Sequence, residues 1–302
     1  MASDELRQAQ DALARAGWER SRRGFEAALE DGETPEGLEG LAMAAWWLDD
    51  APTVFAARER AFQLYRRRGD GRGAGRIALA LAADYAWFRG ETAVAAGWYR
   101  RAHRLLAGID LVPEHGYLKL GEADFALEVE GDPETARTLA AEAVAIGRQL
   151  GIVDLEMVGL ALEGLALVYE GRLEEGMPRL DEATTAAISG EMEDFYAIGR
   201  AYCALVEACE RVRDYERAAQ WCDRAQEFAR RIGFGLLSAV CRTQHASVLI
   251  WRGAWADAEA ELEAAMLHFR TARPPLQAEG LVRVARLRRL QGRLEEAEAL
   301  LN

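Results

Sequence analysis

One pattern recurs along this chain at intervals of about 40 residues, and it constrains the fold more than any other feature. Its clearest copy is Gly253–Phe269, where apolar or small residues follow a turn glycine at steps of three and four. Such steps place these side chains on one face of a helix. Ala258 and Ala265 lie two turns apart on that face, and a methyl group there lets a second helix backbone approach closely.

The same turn and the same small residues recur in register along the chain. The turns are centred on Gly90, Gly131, Gly171, Arg213, Gly253 and Gly292. Small residues follow at a fixed distance at Ala95, Ala136, Gly176, Ala218, Ala258 and Ala297, and again at Ala102, Ala143, Ala183, Ala225 and Ala265. Each complete repeat is therefore predicted to be an antiparallel pair of helices, helix A and then helix B, joined by a short turn.

The predicted fold class is all-α. We expect residues 1–302 to form a single α-solenoid of about eight helix hairpins, with the last hairpin incomplete. In the first two hairpins the predicted helices are Glu5–Arg15, Trp18–Leu29, Glu36–Leu48 and Pro52–Arg68, and Gly69–Gly75 is predicted as a glycine-rich link. Thr34, Asp132 and Asp214 are the predicted N-caps.

Charge and cysteine usage exclude several classes of protein. The net charge of −13 argues against binding to a phosphate backbone, and the chain contains no DNA-binding helix-turn-helix. No signal peptide or membrane-spanning run is present. The four cysteines fall inside helical patterns, so we interpret them as reduced thiols of a cytoplasmic protein. The oligomeric state cannot be read from the sequence.

No arrangement of residues typical of catalysis is present. The four histidines fall in different repeats, no Cys-x-x-Cys pair exists, and the only lysine, Lys119, does not belong to a phosphate-binding loop. Acidic pairs such as Glu174–Glu175 are placed to complement a helix dipole. We therefore predict a protein that is not an enzyme and has no catalytic residue, metal site or cofactor. The arginine-rich run Arg283–Arg293 is interpreted as a solvated face of the last helix A or a contact with whatever follows, rather than a nucleic-acid site.

The A helices offer a candidate binding surface. Counting back six and three residues from each turn selects positions expected to share one orientation: Asp84 and Trp87, Phe125 and Glu128, Leu165 and Val168, Glu207 and Glu210, Ser247 and Ile250, Arg286 and Arg289. The predicted lining of a concave groove is Asp84, Trp87, Phe125, Glu128, Glu207 and Glu210. Unpaired acids and rings favour a cationic or hydrogen-bond-donating partner. The alternative is that Glu207 and Glu210 pair with Arg200 or Arg242, and that the rings pack between repeats.

The repeats resemble tetratricopeptide repeats (TPR). The family's turn glycine, following aromatic, and small, bulky and small residues match Gly253, Trp255, Ala258, Leu262 and Ala265. The repeat here is longer than the usual one of about 34 residues. This resemblance implies a right-handed superhelix whose A helices line the concave side.

Longer runs resemble the MalT-like helical region of LuxR-type bacterial transcription regulators. Among them are WWLDDAPTVFAARERAFQLYRRRGD and ACERVRDYERAAQWCDRAQEF. The resemblance implies a sensor or interaction module that binds a partner protein, peptide or small effector, and in that family a DNA-binding domain follows. The apolar face of the incomplete last hairpin predicts that the chain is a fragment or that another domain follows here too. The alternative function is a stand-alone TPR scaffold for protein–protein interaction, unrelated to transcription.

Overall fold

The computed structural model describes residues 2–232, 235–269 and 274–301, and every regular element in these ranges is a helix. The chain forms two compact units, the first built on Met1–Asp110 and the second on Leu111–Arg231 with Gly235–Asn302. The predicted all-α fold of antiparallel helix hairpins is confirmed. We describe each unit by itself.

The first unit contains three helix hairpins. Its helices are α1 (Ala2–Ala14), α2 (Trp18–Glu30), α3 (Pro35–Trp47), α4 (Ala51–Arg68), α5 (Gly71–Asp84) and α6 (Thr92–Leu106). Each odd-numbered helix packs against the next even-numbered one, and a π-helical turn, Tyr85–Arg89, prolongs α5. The predicted helix bounds agree with α1–α4 to within a few residues.

The second unit repeats the same arrangement. Its described helices are α7 (Pro113–Phe125), α8 (Pro133–Leu150), α9 (Val153–Tyr169), α10 (Leu173–Ser189), α11 (Phe195–Val212), α12 (Tyr215–Ile232), α13 (Gly235–Arg252), α14 (Trp255–Phe269), α15 (Pro274–Leu290) and α16 (Leu294–Ala299). A second π-helical turn, Ala126–Glu130, prolongs α7.

The small residues of the repeat pattern lie where the helices approach most closely. All eleven of these positions are buried, and Ala258 and Ala265 have no exposed surface. At Gly176 a Cβ atom would lie 2.6 Å from the backbone oxygen of Gly164 on the neighbouring helix α9, so only glycine fits there. Trp255, which the pattern places on the same face as Ala258, instead stays partly exposed at the first residue of α14.

The predicted N-caps are confirmed by hydrogen bonds. The backbone N–H of Gly37 donates to Thr34 Oγ1 at 3.1 Å, and Asp132 and Asp214 each accept an equivalent bond at 3.1 Å. These bonds satisfy N–H groups that the first helical turn leaves without a partner.

The predicted glycine-rich link at Gly69–Gly75 is wrong, because α5 begins at Gly71 with Asp70 as its N-cap. The glycines have a packing role. A Cβ atom at Gly73 would lie 2.4 Å from the ring of Tyr65, and one at Gly75 would lie 2.7 Å from the side chain of Leu106. Tertiary packing therefore overrides the weak helix propensity of glycine here.

The turn at Arg213 gives a testable prediction about stability. The other turns of this series have glycine with φ between 65° and 81°. Arg213 adopts a similar φ of 62°, although its Cβ atom makes this left-handed conformation unfavourable. We expect Arg213→Gly to raise the free energy of unfolding by up to about 1 kcal/mol, since relief of strain outweighs the added chain entropy. The reciprocal change, Gly253→Arg, should destabilise by about 1–2 kcal/mol. Urea unfolding would measure both changes in the free energy of unfolding. Changes of the same sign for the two variants would contradict the prediction.

The A helices of the second unit form one continuous layer. Helices α7, α9, α11, α13 and α15 each contact the next one in this series. The even-numbered helices α8 and α10, which the structure describes throughout, have no similarly extensive contact with each other. When the helices on one side of a stack of hairpins pack more closely than those on the other, the stack curves toward the closely packed side. The odd-numbered helices therefore lie on the inner side of the second unit.

Candidate functional site

The inner face of the second unit is the surface on which its odd-numbered helices present polar side chains. It is lined by Asp124, Glu128, Tyr169, Arg200, Glu207 and Glu210. Arg200 of α11 reaches over α9, and its Nη2 lies 2.5 Å from Oδ1 of Asp124 on α7. The Arg200 side chain is only 9% exposed, so this ion pair is largely buried and joins two different repeats.

A second ion pair crosses the inner face between α15 and α11. Nη2 of Arg283 donates to Oε2 of Glu210 at 3.0 Å. Ser247 Oγ on α13 donates to the other oxygen of this carboxylate at 2.8 Å, and Arg286 lies 3.8 Å from it. The charge of Glu210 is therefore compensated within the unit.

Glu128 and Glu207 form a like-charged pair on the same surface. Along α11, Glu207 lies between Arg200 and Glu210, the two residues that take part in the crossing ion pairs. Glu207 accepts a hydrogen bond of 2.6 Å from the hydroxyl of Tyr169. Within the described residues neither Glu128 nor Glu207 forms an ion pair with a basic side chain. The inner face thus has two compensated charge pairs and one uncompensated pair.

The position of these two carboxyl groups raises the pKa of both. Desolvation, and then the charge of Glu207, raise the pKa of Glu128 to about 8, although the residue is exposed. Desolvation also raises the pKa of Glu207, against the opposing effects of the Tyr169 hydrogen bond and the charge of Arg200. A cation placed beside the pair would favour the ionised form of both groups.

Glu128 is held on the π-helical turn Ala126–Glu130. A π-helical turn is rare, and such turns often mark functional sites because they change the direction of side chains within a helix. This one ends at Gly131, whose φ of 65° stops the helix. The turn places Glu128 at the end of α7, one turn beyond Asp124 and within the influence of Glu207.

Two tyrosine rings extend the inner face toward the start of α11. Tyr117 on α7 and Tyr196 on α11 are 41% and 39% exposed. Desolvation raises the pKa of Tyr117 to about 12 and raises that of Tyr196 as well, so both hydroxyls stay protonated at neutral pH. Both rings are therefore apolar surfaces with a hydroxyl group, and Tyr196 lies next to the Arg200–Asp124 pair.

Four of the six residues predicted from the sequence belong to the second unit. Glu128 is exposed, and Phe125, Glu207 and Glu210 are partly exposed. Glu210 was expected to lack a basic partner, and this is wrong because α15 supplies Arg283.

Arg200 and Arg242, which the sequence offered as alternative partners of Glu207 and Glu210, pair with other acidic residues. Arg200 pairs with Asp124, and Arg242 pairs with Glu261 on α14 at 2.8 Å. Neither Glu207 nor Glu210 has an ion pair with Arg200 or Arg242 in the described part of the chain.

Asp84 and Trp87 belong to the first unit, and they differ in exposure. The Asp84 side chain is 1% exposed, and its Oδ2 lies 2.6 Å from Nε of Arg58 on α4, whose side chain is 6% exposed. Asp84 is therefore part of a buried ion pair and is not accessible to a ligand. Trp87 is half-buried on the π-helical turn after α5.

A fixed distance from the turn does not by itself determine exposure. Leu165, Val168, Ser247 and Ile250 occupy the same predicted row, yet all four are buried. A Cβ atom at Gly176 would lie 3.0 Å from Val168, so Val168 faces its hairpin partner α10 and not the inner face. The π-helical turns change the count further, because they add a residue to the last turn of α5 and of α7.

The sequence interpretation missed Asp124 and Tyr169 of the inner face, and it considered Arg200 only as a partner of Glu207 or Glu210. Asp124 lies four residues before Glu128, a spacing that places both on one face of a helix and could have identified it. Tyr169 and Arg200 contribute through contacts with other repeats, with partners 38 and 76 residues away in the sequence. No local sequence signal reveals such partners.

The arginine-rich run Arg283–Arg293 is largely engaged in ion pairs within the chain. Arg283 and Arg286 contact Glu210, Arg288 contacts Glu259 on α14, and Arg293 contacts Glu296. These carboxylates neutralise much of the positive charge of the run.

Two other surface depressions of the second unit each contain an ion pair. One, of about 490 Å³, lies at the α7–α8 turn, where Arg137 pairs with Glu170 at 3.0 Å. The other, of about 800 Å³, lies on α10 and α12, where Arg217 pairs with Asp181 at 3.1 Å.

Other types of site have little support in the described residues. No group of three or more potential ligands that could hold a metal ion occurs there, and no described helix is long and apolar enough to cross a membrane. Cys203, Cys209 and Cys222 are free thiols, and desolvation raises their pKa values to about 11–12, which disfavours the reactive thiolate. The side chain of Cys241 lies outside the described residues.

The fold is TPR-like, and solved structures of TPR proteins are similar to it. One is a Signal Transduction ATPase with Numerous Domains (STAND) protein with a tetratricopeptide repeat sensor from Pyrococcus horikoshii, with a TM-score of 0.56 and 15% identity. That match covers all of this chain and 47% of the STAND protein, so this chain spans about half of its length.

Two further structures match over nearly all of this chain. A Rap protein complexed with Competence and Sporulation Factor has a TM-score of 0.54 and 13% identity, with 98% of this chain and 99% of Rap covered. A human IFIT1 dimer with PPP-AAAA has a TM-score of 0.60 and 16% identity, with 99% of this chain and 71% of IFIT1 covered. At these identities the similarity shows the fold alone. No family model and no curated protein matches the chain.

Proposed function

We propose that this chain is a non-enzymatic TPR-type interaction module, and that the inner face of its second unit binds a cationic partner. The observation that carries the proposal is the like-charged pair Glu128–Glu207 beside two compensated ion pairs. An ammonium or guanidinium group beside these two carboxylates would supply the missing charge. A peptide or protein segment with Arg or Lys, or a small cationic effector, has this chemistry.

The surroundings of the pair favour an extended ligand. The Tyr117 and Tyr196 rings offer apolar surface near the start of α11, and a basic side chain can stack on an aromatic face. The two crossing ion pairs join α7, α11 and α15, so the surface is fixed before a ligand arrives. A fixed surface lowers the entropy cost of binding.

Binding of labelled peptides to the whole chain tests this proposal. We expect a short peptide of alternating Arg and Ala to bind at least about tenfold more tightly than its Glu–Ala counterpart, in fluorescence anisotropy at physiological salt. Glu207→Gln keeps an acceptor for Tyr169 but removes the charge, and it should weaken binding of the basic peptide by about tenfold.

The control variant is Glu130→Gln, on the same π-helical turn. Glu130 is exposed, and its substitution changes the net charge of the chain by the same amount as Glu207→Gln. It should leave binding nearly unchanged. If both variants weaken binding equally, only the overall negative charge attracts the peptide, and the proposed site is wrong.

We further propose that the module belongs to a LuxR-type bacterial transcription regulator, in which it receives a signal. The support is the resemblance of its long runs to the MalT-like region of that family and its TPR-like fold. The genomic reading frame after Asn302 would test this. A helix-turn-helix domain in the same frame would support a regulator, whereas an immediate stop codon would favour a stand-alone scaffold.

A further inference from the structure

We propose that the depression between α10 and α12, on the outer side of the second unit, binds an amphipathic helix that combines apolar and basic side chains on one face. The depression has a volume of about 800 Å³, and side chains of both helices line it. The inner face is formed by the odd-numbered helices, so the two surfaces are independent. A helix bound on the outer side would leave the inner face open for its own partner.

The depression has the length of a short helix. On α12 its lining extends from Arg217 to Glu227, which corresponds to about 15 Å along the helix axis. On α10 the lining extends from Asp181 to Ile188, about two turns later. Because α10 and α12 are the second helices of consecutive hairpins, they run in the same direction. A third helix of about three turns can therefore lie along the groove between them.

One arginine serves two carboxylates at the first end of the depression. Nη1 of Arg217 lies 3.1 Å from Oδ2 of Asp181 on α10, and Nε of Arg217 lies 3.3 Å from Oδ2 of Asp214, the N-cap of α12. A single guanidinium group cannot neutralise both carboxylates. This end of the depression therefore has more negative than positive charge.

The other end of the depression also has an excess of negative charge. Asp223 and Glu227 lie one turn apart on α12 and are exposed. Among the described residues, neither of them forms an ion pair. Arg224 is exposed in the same lining and offsets only part of their charge. A partner with Lys or Arg side chains is complementary to this surface.

Apolar side chains line the same depression. Ile188 on α10 is 43% exposed, and Trp221 on α12 is half-buried. The Trp221 ring meets the ring of the buried Tyr202 edge-on, with 6.2 Å between the ring centroids. This contact holds the Trp221 ring in place before a ligand arrives, which lowers the entropy cost of binding. A Leu side chain of a bound helix would cover the exposed apolar surface of Ile188 and Trp221.

These features favour a helix of another protein over a second copy of this chain. The chain has a net charge of −13, so two copies repel each other. A helix with Leu and Lys on one face would instead place its apolar side chains on Ile188 and Trp221 and its ammonium groups beside Asp223 and Glu227. Recognition of an amphipathic helix in a groove has this combination of apolar anchors and flanking charges.

Binding of a synthetic helical peptide to the whole chain tests the proposal. The probe is an alanine-based peptide of about 15 residues with Leu and Lys on one face and a hydrocarbon staple on the other, which keeps it helical. In fluorescence anisotropy at physiological salt, it should bind at least about tenfold more tightly than the same peptide with Glu in place of Lys. In NMR spectra it should shift the indole N–H resonance of Trp221, which Trp221→Phe identifies.

Three further variants locate the bound peptide. Ile188→Gln replaces an exposed apolar side chain and should weaken binding by about fivefold. Glu227→Gln should weaken it by about threefold, as expected for an exposed ion pair. The control is Glu182→Gln, at an exposed position of α10 outside the lining of the depression, which changes the net charge equally and should have almost no effect. Equal weakening by Glu227→Gln and Glu182→Gln would overturn the proposal, because only the overall charge would then attract the peptide.

The same measurements in the Glu207→Gln variant separate this surface from the inner face. Binding of the helical peptide and the shift of the Trp221 resonance should both persist there, whatever the result for the Arg–Ala peptide. Loss of binding in Glu207→Gln would place the peptide on the inner face and overturn the outer docking surface. Absence of binding, or binding that leaves the Trp221 resonance unchanged and does not respond to Ile188→Gln, would overturn it as well.

Discussion

Asp84→Ala is expected to lower the free energy of unfolding of the first unit by about 3–5 kcal/mol. The Arg58 and Asp84 side chains are 6% and 1% exposed, and they meet at 2.6 Å. Removal of the carboxylate would leave the guanidinium of Arg58 buried without its counter-charge. The cost of that unpaired charge exceeds the value of the ion pair itself. Urea unfolding followed by circular dichroism would measure the loss.

A matched surface pair in the same unit gives the control. Glu33 pairs with Arg60 at 2.6 Å, but the two side chains are 47% and 38% exposed. Glu33→Ala should therefore cost less than about 1 kcal/mol. The double substitution of Arg58→Met with Asp84→Leu should recover much of the stability lost in Asp84→Ala, because no charge is then left buried. Equal losses for Asp84→Ala and Glu33→Ala would contradict the assignment of a buried pair.

The repeat could be read from the sequence because each of its elements has a local cause. A residue with positive φ ends helix A, and glycine adopts that conformation most easily. The small residues follow from the close approach of helices, as at Ala258, and they recur because every hairpin packs in the same way. Because these causes act within every hairpin, they leave a periodic pattern in the sequence. The pattern stays recognisable even though the other residues differ from repeat to repeat.

The partners of the inner face could not be read in this way. Arg200 meets Asp124 across two repeats because the layer of A helices curves, and curvature is a property of the assembled unit. The two π-helical turns change the relation between sequence spacing and orientation within α5 and α7. Charge alone is equally ambiguous, since Glu207 and Glu210 are three residues apart and, of the two, only Glu210 is ion-paired within the described residues. For the same reason Asp84, selected as a groove residue, is buried against Arg58.

Ala258→Arg should destabilise the second unit by more than about 3 kcal/mol. Ala258 has no exposed surface, and it packs in a cluster with Ala246, Ile250, Leu262 and Leu287 from α13, α14 and α15. A guanidinium group there would separate three helices and lose its hydration, with no carboxylate inside the cluster to receive it. Ala265→Arg, at the second buried position of α14, should have a similar effect.

The best control for Ala258→Arg is Glu263→Arg, on the exposed side of α14. This substitution adds the same side chain without entering the cluster and should cost less than about 1 kcal/mol. Glu261 is less suitable, since it accepts a 2.8 Å bond from Arg242, and its replacement would also remove that ion pair. Similar urea midpoints for Ala258→Arg and Glu263→Arg would mean that α14 is rotated from the position described. The repeat register, which places the equivalent small residue of the other hairpins in this series, would then be wrong as well.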